Sequence, residues 1–270
     1  MCGRYAIFTE EENAELREII NNINERYKDE PAKENLACDK LSQMQKPSCT
    51  HTSEVSPKGN SVYTQLSLFP EEPVGTNTYQ VPSQMKTGEI FPTNIVPVIT
   101  GVSGSKKTAD LFKWGFPNYR KNSGVIINAR CETLSEKPTF RKLLQNNRCL
   151  VPASGFYEWK TIETRKEKYL IRSAPDKLMY FAGLYNSFTD KNGIPFTSFV
   201  IITTEANSQM SQIHTRMPVI LNNAEAMSWI NGIMPKSANN TCIGTNTRNT
   251  DILSLLKPYD KFISIEKSVG

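Results

Sequence analysis

Apolar residues along the chain recur mainly with a period of two, and a few stretches with helical spacing interrupt this strand-like pattern. Residues 4–8 predict a short strand, and a helix is predicted directly after it. Thr9 and Glu12 have the spacing of a capping box at the start of that helix. One helical face is apolar and carries Leu16, Ile19, Ile20, Ile23 and Tyr27. This face predicts that the helix packs against a core.

Residues 29–86 show neither period. Lys, Glu, Ser, Thr, Pro and Gln dominate there, and short apolar runs such as 66–69 end at a proline. A segment of this composition has too little apolar surface to fold by itself. We therefore predict one domain over residues 1–270, with 29–86 as a polar insertion or extended loop whose simplest role is that of a passive linker.

Short strands return after residue 88, with a few helices between them. The predicted strands cover 95–100, 125–127, 149–151, 156–159, 168–172, 179–185, 199–203, 219–221 and 262–265, and the predicted helices lie near 140–144, 209–213, 222–229 and 252–256. Strands and helices do not alternate regularly, so the predicted class is α+β, with a curved, mostly antiparallel barrel-like sheet and peripheral helices. Walker A, G-x-G-x-x-G and G-x-S-x-G patterns are missing from the sequence, which disfavours nucleotide, dinucleotide and α/β-hydrolase sites.

Composition narrows the class of protein further. The net charge of +5 is compatible with a polyanionic partner but does not by itself indicate nucleic acid. The six cysteines contain no C-x-x-C pair and there are only two histidines, so we expect no metal site and no cofactor. Without a signal peptide or a long apolar run, we expect a cytoplasmic monomer with no membrane contact, and a nucleoid-associated one when bound to DNA if the source is bacterial.

Cys2 has the most unusual chemistry available to the chain. Removal of Met1 would give it a free α-amine beside its thiol, a pair that no internal residue offers. The amine, with a pKa of roughly 8, is partly neutral at pH 7 and can form a Schiff base with an aldehyde, after which the sulfur can close a thiazolidine ring. The same residue could also act as an N-terminal nucleophile. The structural alternative is a small second residue that only permits removal of Met1.

Asn128 and Arg130 follow a strand rich in β-branched residues, and alternation places their side chains on one face. An amide and a guanidinium at a strand end can hold a sugar oxygen and a phosphate. A turn asparagine and an exposed arginine are the structural alternative.

Glu158 lies within an aromatic strand. Alternation puts it on the face of Phe156 and puts Tyr157 and Trp159 on the other face. A carboxylate in an apolar strand is costly to keep charged unless it is paired, which suits a group that takes up and releases a proton. A structural salt bridge is the alternative.

His214 is the histidine in a structured part of the chain, because the other, His51, lies in the polar stretch. Arg216 follows two residues later, and Thr203 ends the preceding strand. A histidine that only makes a hydrogen bond in the core is the ordinary interpretation of His214. Thr203 is a candidate for a polar contact, with strand capping as its structural alternative.

Five motifs occur in the order found in the SOS response-associated peptidase (SRAP) family, which the chain resembles over residues 1–27 and 88–269. They are Met1-Cys2-Gly3-Arg4, Trp114-Gly115, Asn128-Ala129-Arg130-x-Glu132-Thr133, Gly155-Phe156-Tyr157-Glu158-Trp159 and Ile213-His214-x-Arg216-Met217-Pro218. Five motifs in register are much more specific than any one alone. Residues 29–86 match nothing expected of the family.

The resemblance implies an SRAP-like fold and a covalent cross-link to abasic sites in single-stranded DNA. It implies that Cys2 is the nucleophile and that Asn128 positions it. It further implies that Glu158 shuttles protons and that His214 acts as a general acid on the sugar ring oxygen.

The DNA contacts implied by the resemblance come from four residues. Arg4, Arg130 and Arg216 would bind the phosphates that flank the lesion, and Thr203 would add a hydrogen bond.

Two other classes of function remain open from the sequence. One is an autoprocessing thiol peptidase that uses Cys2 as an N-terminal nucleophile, and the other is a non-catalytic single-stranded DNA-binding module. Lyase activity through β-elimination from a Schiff base and removal of Met1 by the protein itself are further expectations of the family resemblance.

Overall fold

The structure is a computed structural model that describes residues 2–8, 13–27, 85–103, 106–119, 124–173, 177–232 and 252–268. Residues 1–27 and 80–270 belong to one compact unit. Residues 29–84 of the predicted polar insertion lie outside the described residues. Its last two residues already belong to the fold, since Met85 is buried and the Lys86 backbone N–H donates to the Ile95 carbonyl at 2.9 Å.

The described chain forms fifteen strands, four α-helices and two 3₁₀ turns. The strands are β1 (Arg4–Ile7), β2 (Gly88–Ile90), β3 (Ile95–Ser103), β4 (Lys106–Trp114), β5 (Phe116–Pro117), β6 (Val125–Ile126), β7 (Asn128–Arg130), β8 (Arg148–Ala153), β9 (Gly155–Ile162), β10 (Arg165–Arg172), β11 (Met179–Thr189), β12 (Pro195–Glu205), β13 (Arg216–Pro218), β14 (Ile220–Leu221) and β15 (Ser264–Lys267). The helices are α1 (Ala14–Tyr27), α2 (Pro138–Arg141), α3 (Leu143–Asn146) and α4 (Asn223–Asn231), and the 3₁₀ turns are Cys131–Thr133 and Met210–Gln212.

Most strands lie in two sheets. A five-stranded sheet has the order β15-β10-β9-β1-β2, and all of its pairs are antiparallel. An eight-stranded sheet has the order β13-β12-β4-β3-β8-β11-β14, with β7 also paired to β12. Only the pairs of β12 with β4 and β7 are parallel among the described pairs of this sheet. The predicted α+β class with a mostly antiparallel, barrel-like sheet and peripheral helices is confirmed.

The helices follow their predicted patterns closely. The apolar face of α1 is buried, as predicted, and the Asn13 side chain caps the helix by accepting from the Leu16 N–H at 3.1 Å. The predicted capping residues Thr9 and Glu12 lie outside the described residues. At α4, Asn222 and Glu225 form the predicted reciprocal capping box, with both hydrogen bonds at 3.0 Å. The predicted helix at 209–213 is a single 3₁₀ turn. No helix in the described ranges is both long and apolar enough to cross a membrane.

The five-stranded sheet has two chemically different faces, and its register defines them. The inner face carries Tyr5, Phe156 and Ile171, which pair across β1, β9 and β10 and are fully buried in the main core. The outer face carries the residues of opposite parity. These include Glu89, Arg4, Tyr157, Trp159, Thr161, Lys166 and Lys168. A one-residue step along any of these strands therefore moves from the core to the outer face.

Candidate active site

Cys2 lies two residues before the first residue of β1 and is 0% exposed. Its carbonyl accepts a hydrogen bond from Asn128 Nδ2 at 2.8 Å, and its thiol donates to the Arg4 carbonyl with an Sγ–O distance of 3.6 Å. Burial, and after it the negative charge of Glu158, raises the pKa of the Cys2 thiol well above its ordinary value. The sulfur is therefore a thiol at neutral pH and needs a neighbouring base to become a nucleophile.

Glu158 is held on the inner face of β9 and is only 3% exposed. The predicted alternation is confirmed, because Phe156 belongs to the main core whereas Tyr157 and Trp159 belong to a small apolar cluster on the outer face. Glu158 also borders a cavity of about 580 Å³. The cavity is lined by Gly3, Arg4, Glu158, Trp159, Thr161, Lys166 and His214. Glu158 is thus a buried carboxylate that borders this cavity and whose charge acts on the Cys2 thiol. It is placed to exchange protons with the thiol and with groups in the cavity.

His214 lines the cavity from the segment between the 3₁₀ turn and β13. Its Nδ1 accepts from the Arg216 backbone N–H at 2.9 Å and lies 3.3 Å from the Arg216 carbonyl oxygen. An accepting Nδ1 carries no proton, so the neutral ring carries its proton on Nε2. The protonated ring can instead donate from Nδ1 to the nearby carbonyl. Both protonation states therefore have a backbone partner.

Arg216 links this histidine to Glu132 and Thr203. Its two terminal nitrogens contact the two Glu132 carboxylate oxygens at 2.5 and 3.0 Å, and Nη2 also donates to the Thr203 carbonyl at 2.8 Å. The hydrogen bond from Arg216 holds the pKa of Glu132 below its ordinary value, and the same bond raises the pKa of Arg216. Nη1 keeps one hydrogen for another acceptor, since only one of its two is used by Glu132.

Arg130 lies beside this group on β7. Ala129 is buried and Arg130 is exposed, so the alternation predicted for Asn128 and Arg130 is confirmed. Arg130 is the register partner of Thr203 in the parallel pair with β12. The four residues expected to contact DNA are therefore divided, with Arg130, Thr203 and Arg216 at one end of β12 and Arg4 on the outer face of the sheet.

Arg4 is held by one carboxylate and two aromatic rings. Its Nη1 pairs with Glu89 Oε1 at 3.0 Å, and its Cζ lies 4.2 Å from the Phe91 ring centroid and 5.1 Å from that of Trp159. Lys168 Nζ binds the second Glu89 oxygen at 2.6 Å. Burial raises the pKa of Glu89, but the hydrogen bonds from Lys168 and Arg4 outweigh it and leave the pKa below its ordinary value. Glu89 therefore neutralises part of the positive charge of Arg4 and Lys168.

Sequence reasoning missed four residues of this site: Glu89, Thr161, Lys166 and Lys168. The last three belong to the β9–β10 hairpin, whose strands are longer than predicted. Its turn contains Glu163 at φ 53 and lacks the glycine or asparagine that usually marks such a turn. Had the hairpin been recognised, alternation from Trp159 would have placed Thr161, Lys166 and Lys168 on one face.

The site is built from carboxylate, imidazole, amide and cationic groups around one thiol. Within the described ranges, no group of three or more His, Cys, Asp or Glu residues could hold a metal ion. The arrangement can hold an anionic ligand at its mouth and exchange protons beside a buried thiol.

Comparison with known proteins assigns this arrangement to a family. The model of the SOS response associated peptidase (SRAP) family matches residues 1–256. An abasic site processing protein of Bacillus subtilis, YoqW, is 36% identical over 206 residues, which cover 73% of this chain and 87% of that protein. The abasic site processing protein HMCES of Xenopus tropicalis is 29% identical over 168 residues, half of each chain.

A solved structure shares the architecture as well. The crystal structure of a protein from Bacteroides thetaiotaomicron superposes with a TM-score of 0.53 at 28% identity, over 66% of this chain and 76% of that one.

Proposed function

The chain belongs to the SOS response associated peptidase (SRAP) family, and from this premise we propose that it processes abasic sites in single-stranded DNA through a covalent cross-link at Cys2. One observation carries the proposal. Cys2 is buried, its carbonyl is held by Asn128, and its thiol is influenced by the charge of Glu158, which lines a cavity together with His214 and Arg4.

Ring opening of the abasic sugar is the first step. The C1′–O4′ bond of the hemiacetal breaks as the protonated ring of His214 gives its Nε2 proton to O4′ and the C1′ hydroxyl loses its proton to solvent, which leaves an aldehyde at C1′ and a neutral imidazole. The neutral ring that remains keeps its proton on Nδ1, where the Arg216 carbonyl oxygen, 3.3 Å away, can accept it.

The cross-link itself forms in two further steps. The Cys2 α-amine adds to C1′, and loss of water gives a Schiff base. The thiol then adds to the same carbon, its proton passes through Glu158 to the nitrogen, and the thiazolidine ring closes. Because the pKa of the thiol is raised by burial, this last transfer needs the carboxylate base.

Removal of Met1 is a condition of this chemistry, because the Cys2 nitrogen is otherwise part of a peptide bond. We include in the proposal that Met1 is removed, either by the protein itself or by a processing enzyme. A Schiff base that escapes ring closure would permit strand cleavage by β-elimination, so weak lyase activity is expected when the thiol is missing.

The flanking phosphates would bind to arginines at both ends of the site. Arg4 would bind one phosphate from the outer face of the sheet, and Arg130, which is exposed, would bind a second. Arg216 would add one hydrogen bond from its remaining Nη1 hydrogen while Glu132 and Thr203 fix its position. This mode of binding needs few charges, in agreement with a net charge of only +5.

One denaturing gel tests the proposal. Met1-processed protein is incubated with a single-stranded oligonucleotide that contains one abasic site, then heated and denatured. We expect a shifted band whose mass, measured by mass spectrometry, equals protein plus DNA minus one water. An oligonucleotide with the reduced, aldehyde-free sugar serves as the matched control.

The other outcomes separate the alternatives. No heat-stable adduct, or one that persists unchanged in Cys2→Ala, would contradict the cross-link. Cleavage of Met1 or of peptides without any DNA adduct would favour an autoprocessing peptidase, and salt-sensitive binding without an adduct would favour a binding module.

A further inference from the structure

Phe91 is a large apolar side chain that remains 40% exposed immediately after β2. A single exposed aromatic residue is ordinary on a protein surface. This ring is different in its surroundings, because it lies 4.2 Å from the guanidinium carbon of Arg4, a residue of the cavity wall. The exposed ring therefore contacts a residue that lines the cavity of the candidate active site.

The turn that carries Phe91 is fixed by hydrogen bonds. The Phe91 N–H donates to Asn94 Oδ1 at 2.9 Å, and the Thr93 N–H donates to the Trp114 carbonyl at 2.8 Å. The Trp114 N–H donates in return to the Asn94 carbonyl at 2.9 Å, and Trp114 is fully buried. A ring held in this way loses little conformational entropy when a ligand covers it.

Arg4 joins Phe91 to a second aromatic residue. The same guanidinium lies 5.1 Å from the ring of Trp159, and Glu89 fixes its direction by an ion pair at 3.0 Å. Lys168 adds a further cation 4.2 Å from the ring of Tyr157. Aromatic rings alternating with cations are the surface that single-stranded nucleic acids bind, with bases on the rings and phosphates on the cations.

We propose that the exposed face of Phe91 is a stacking subsite for the unpaired nucleobase next to the abasic nucleotide. Arg4 binds the phosphate between that base and the lesion, since it contacts Phe91 and also lines the cavity. The subsite fixes the register of the strand, so that the nucleotide without a base falls opposite Cys2. The inference rests on the proposed function for its choice of ligand, but it concerns binding alone.

The test measures binding without the cross-linking reaction. A fluorescent single strand carries one tetrahydrofuran residue, an abasic analogue without an aldehyde, and anisotropy gives its Kd. Two further strands carry a second tetrahydrofuran in place of the 5′ or the 3′ neighbouring base. For the wild-type protein, removal of one of these two bases is expected to weaken binding by about five- to a hundredfold.

Variants of Phe91 show whether this base contacts the ring. Phe91→Ala and Phe91→Leu should bind the base-containing strand as weakly as the wild type binds the base-lacking strand, and should lose nothing more when the base is removed. Phe91→Trp should restore the dependence on the base. Phe262→Ala is the matched control, because Phe262 is 71% exposed and precedes β15, at the opposite edge of the same sheet.

Two results would overturn the proposal. One is a wild-type Kd that does not change when either neighbouring base is removed. The other is a Phe91→Leu protein, folded by circular dichroism, in which base removal weakens binding as much as in the wild type. If Phe91→Leu acted only by disturbing Arg4, binding of all strands would weaken equally. Base removal would then have the same effect as in the wild type, which is the second result. Failure of the cross-linking gel leaves this measurement intact, because the analogue cannot react.

Discussion

The two faces of the five-stranded sheet differ in burial and in charge. The inner face holds Glu158 among fully buried rings such as Tyr5 and Phe156. The outer face holds Arg4 and Lys168 in contact with solvent and with the shared carboxylate of Glu89. Charged side chains are costly to bury on the inner face and are common on the outer face. The inner face therefore suits proton transfer, and the outer face suits binding of phosphates.

The comparison shows how one short strand serves both purposes. Arg4 begins β1 and points outward, whereas Cys2 lies just before the strand, where alternation no longer applies, and is buried. The two residues of one motif therefore differ in burial, and in our proposal Cys2 reacts whereas Arg4 binds DNA. We therefore expect inner-face substitutions to change the rate of cross-linking and outer-face substitutions to change the affinity for DNA.

The largest effect is expected at Cys2. Cys2→Ser keeps the α-amine but lacks the sulfur that closes the ring, so the heat-stable adduct should fall to background while binding is retained. A Schiff base should still form, and borohydride should trap it as a reduced, stable product on the same gel. A heat-stable adduct formed by Cys2→Ser without borohydride would refute the ring-closing role of the thiol.

Removal of the proton-transfer groups should have the next largest effect. Glu158→Gln and His214→Ala are each expected to slow cross-linking by about 10²- to 10⁴-fold, with the Kd for undamaged single strands unchanged. Single-turnover gels measure the rate and anisotropy measures the Kd. Glu163→Gln, at the exposed turn of the same hairpin, is the matched control. Equal losses of rate and affinity would mean that both residues are structural.

A smaller effect is expected at Glu132, which fixes Arg216 beside His214. Because Glu132 is 42% exposed, solvent screens the ion pair, and Glu132→Gln should cost about 1 kcal/mol or less of unfolding free energy. The pKa of Glu132 is lowered in the folded protein, so this contribution is present above its ordinary pKa and is lost as the pH falls through the lowered value. Denaturant melts should show the two proteins differing at pH 7 and converging toward pH 3.

The smallest effect is expected at Glu89, and it has the opposite sign. Glu89→Gln leaves Arg4 and Lys168 without their shared carboxylate, so affinity for undamaged single strands should rise about two- to fivefold at low salt. The salt dependence should become steeper by up to about 0.7 in log Kd against log salt. Glu266→Gln on β15 is the control. Weaker binding of Glu89→Gln would show that Glu89 mainly holds Arg4 in position.

Local patterns predicted much of the fold. Alternation located most strands of both sheets, and the Asn222–Glu225 capping box placed the start of α4 correctly. The ends of the strands were predicted less accurately. Residues near strand ends, such as those beside the β9–β10 turn, are polar and show no alternation of apolar and polar residues. The short helix predicted at 209–213 is a 3₁₀ helix at Met210–Gln212, because one turn has too few residues for its period to distinguish the two kinds of helix.

The site was predictable only in part. Motifs near Cys2, Asn128, Glu158 and His214 named these residues, but their contacts join positions far apart in sequence, such as the hydrogen bond between Asn128 and Cys2 across 126 residues. Glu89 shows the limit most clearly. It lies 85 residues from Arg4, in no motif, and only the register of β1 against β2 brings the pair together.

The burial of Cys2 also has a consequence for the order of events during synthesis. β1 leaves the ribosome early, but its partner β9 is synthesised roughly 150 residues later. At ordinary elongation rates this delay is some tens of seconds or less. During that interval the first residues are exposed to a processing enzyme, and neither Glu158 nor His214 exists to assist Cys2. Once β9 pairs with β1, Cys2 is enclosed. An external enzyme would therefore remove Met1 most easily from the nascent chain, before the sheet closes.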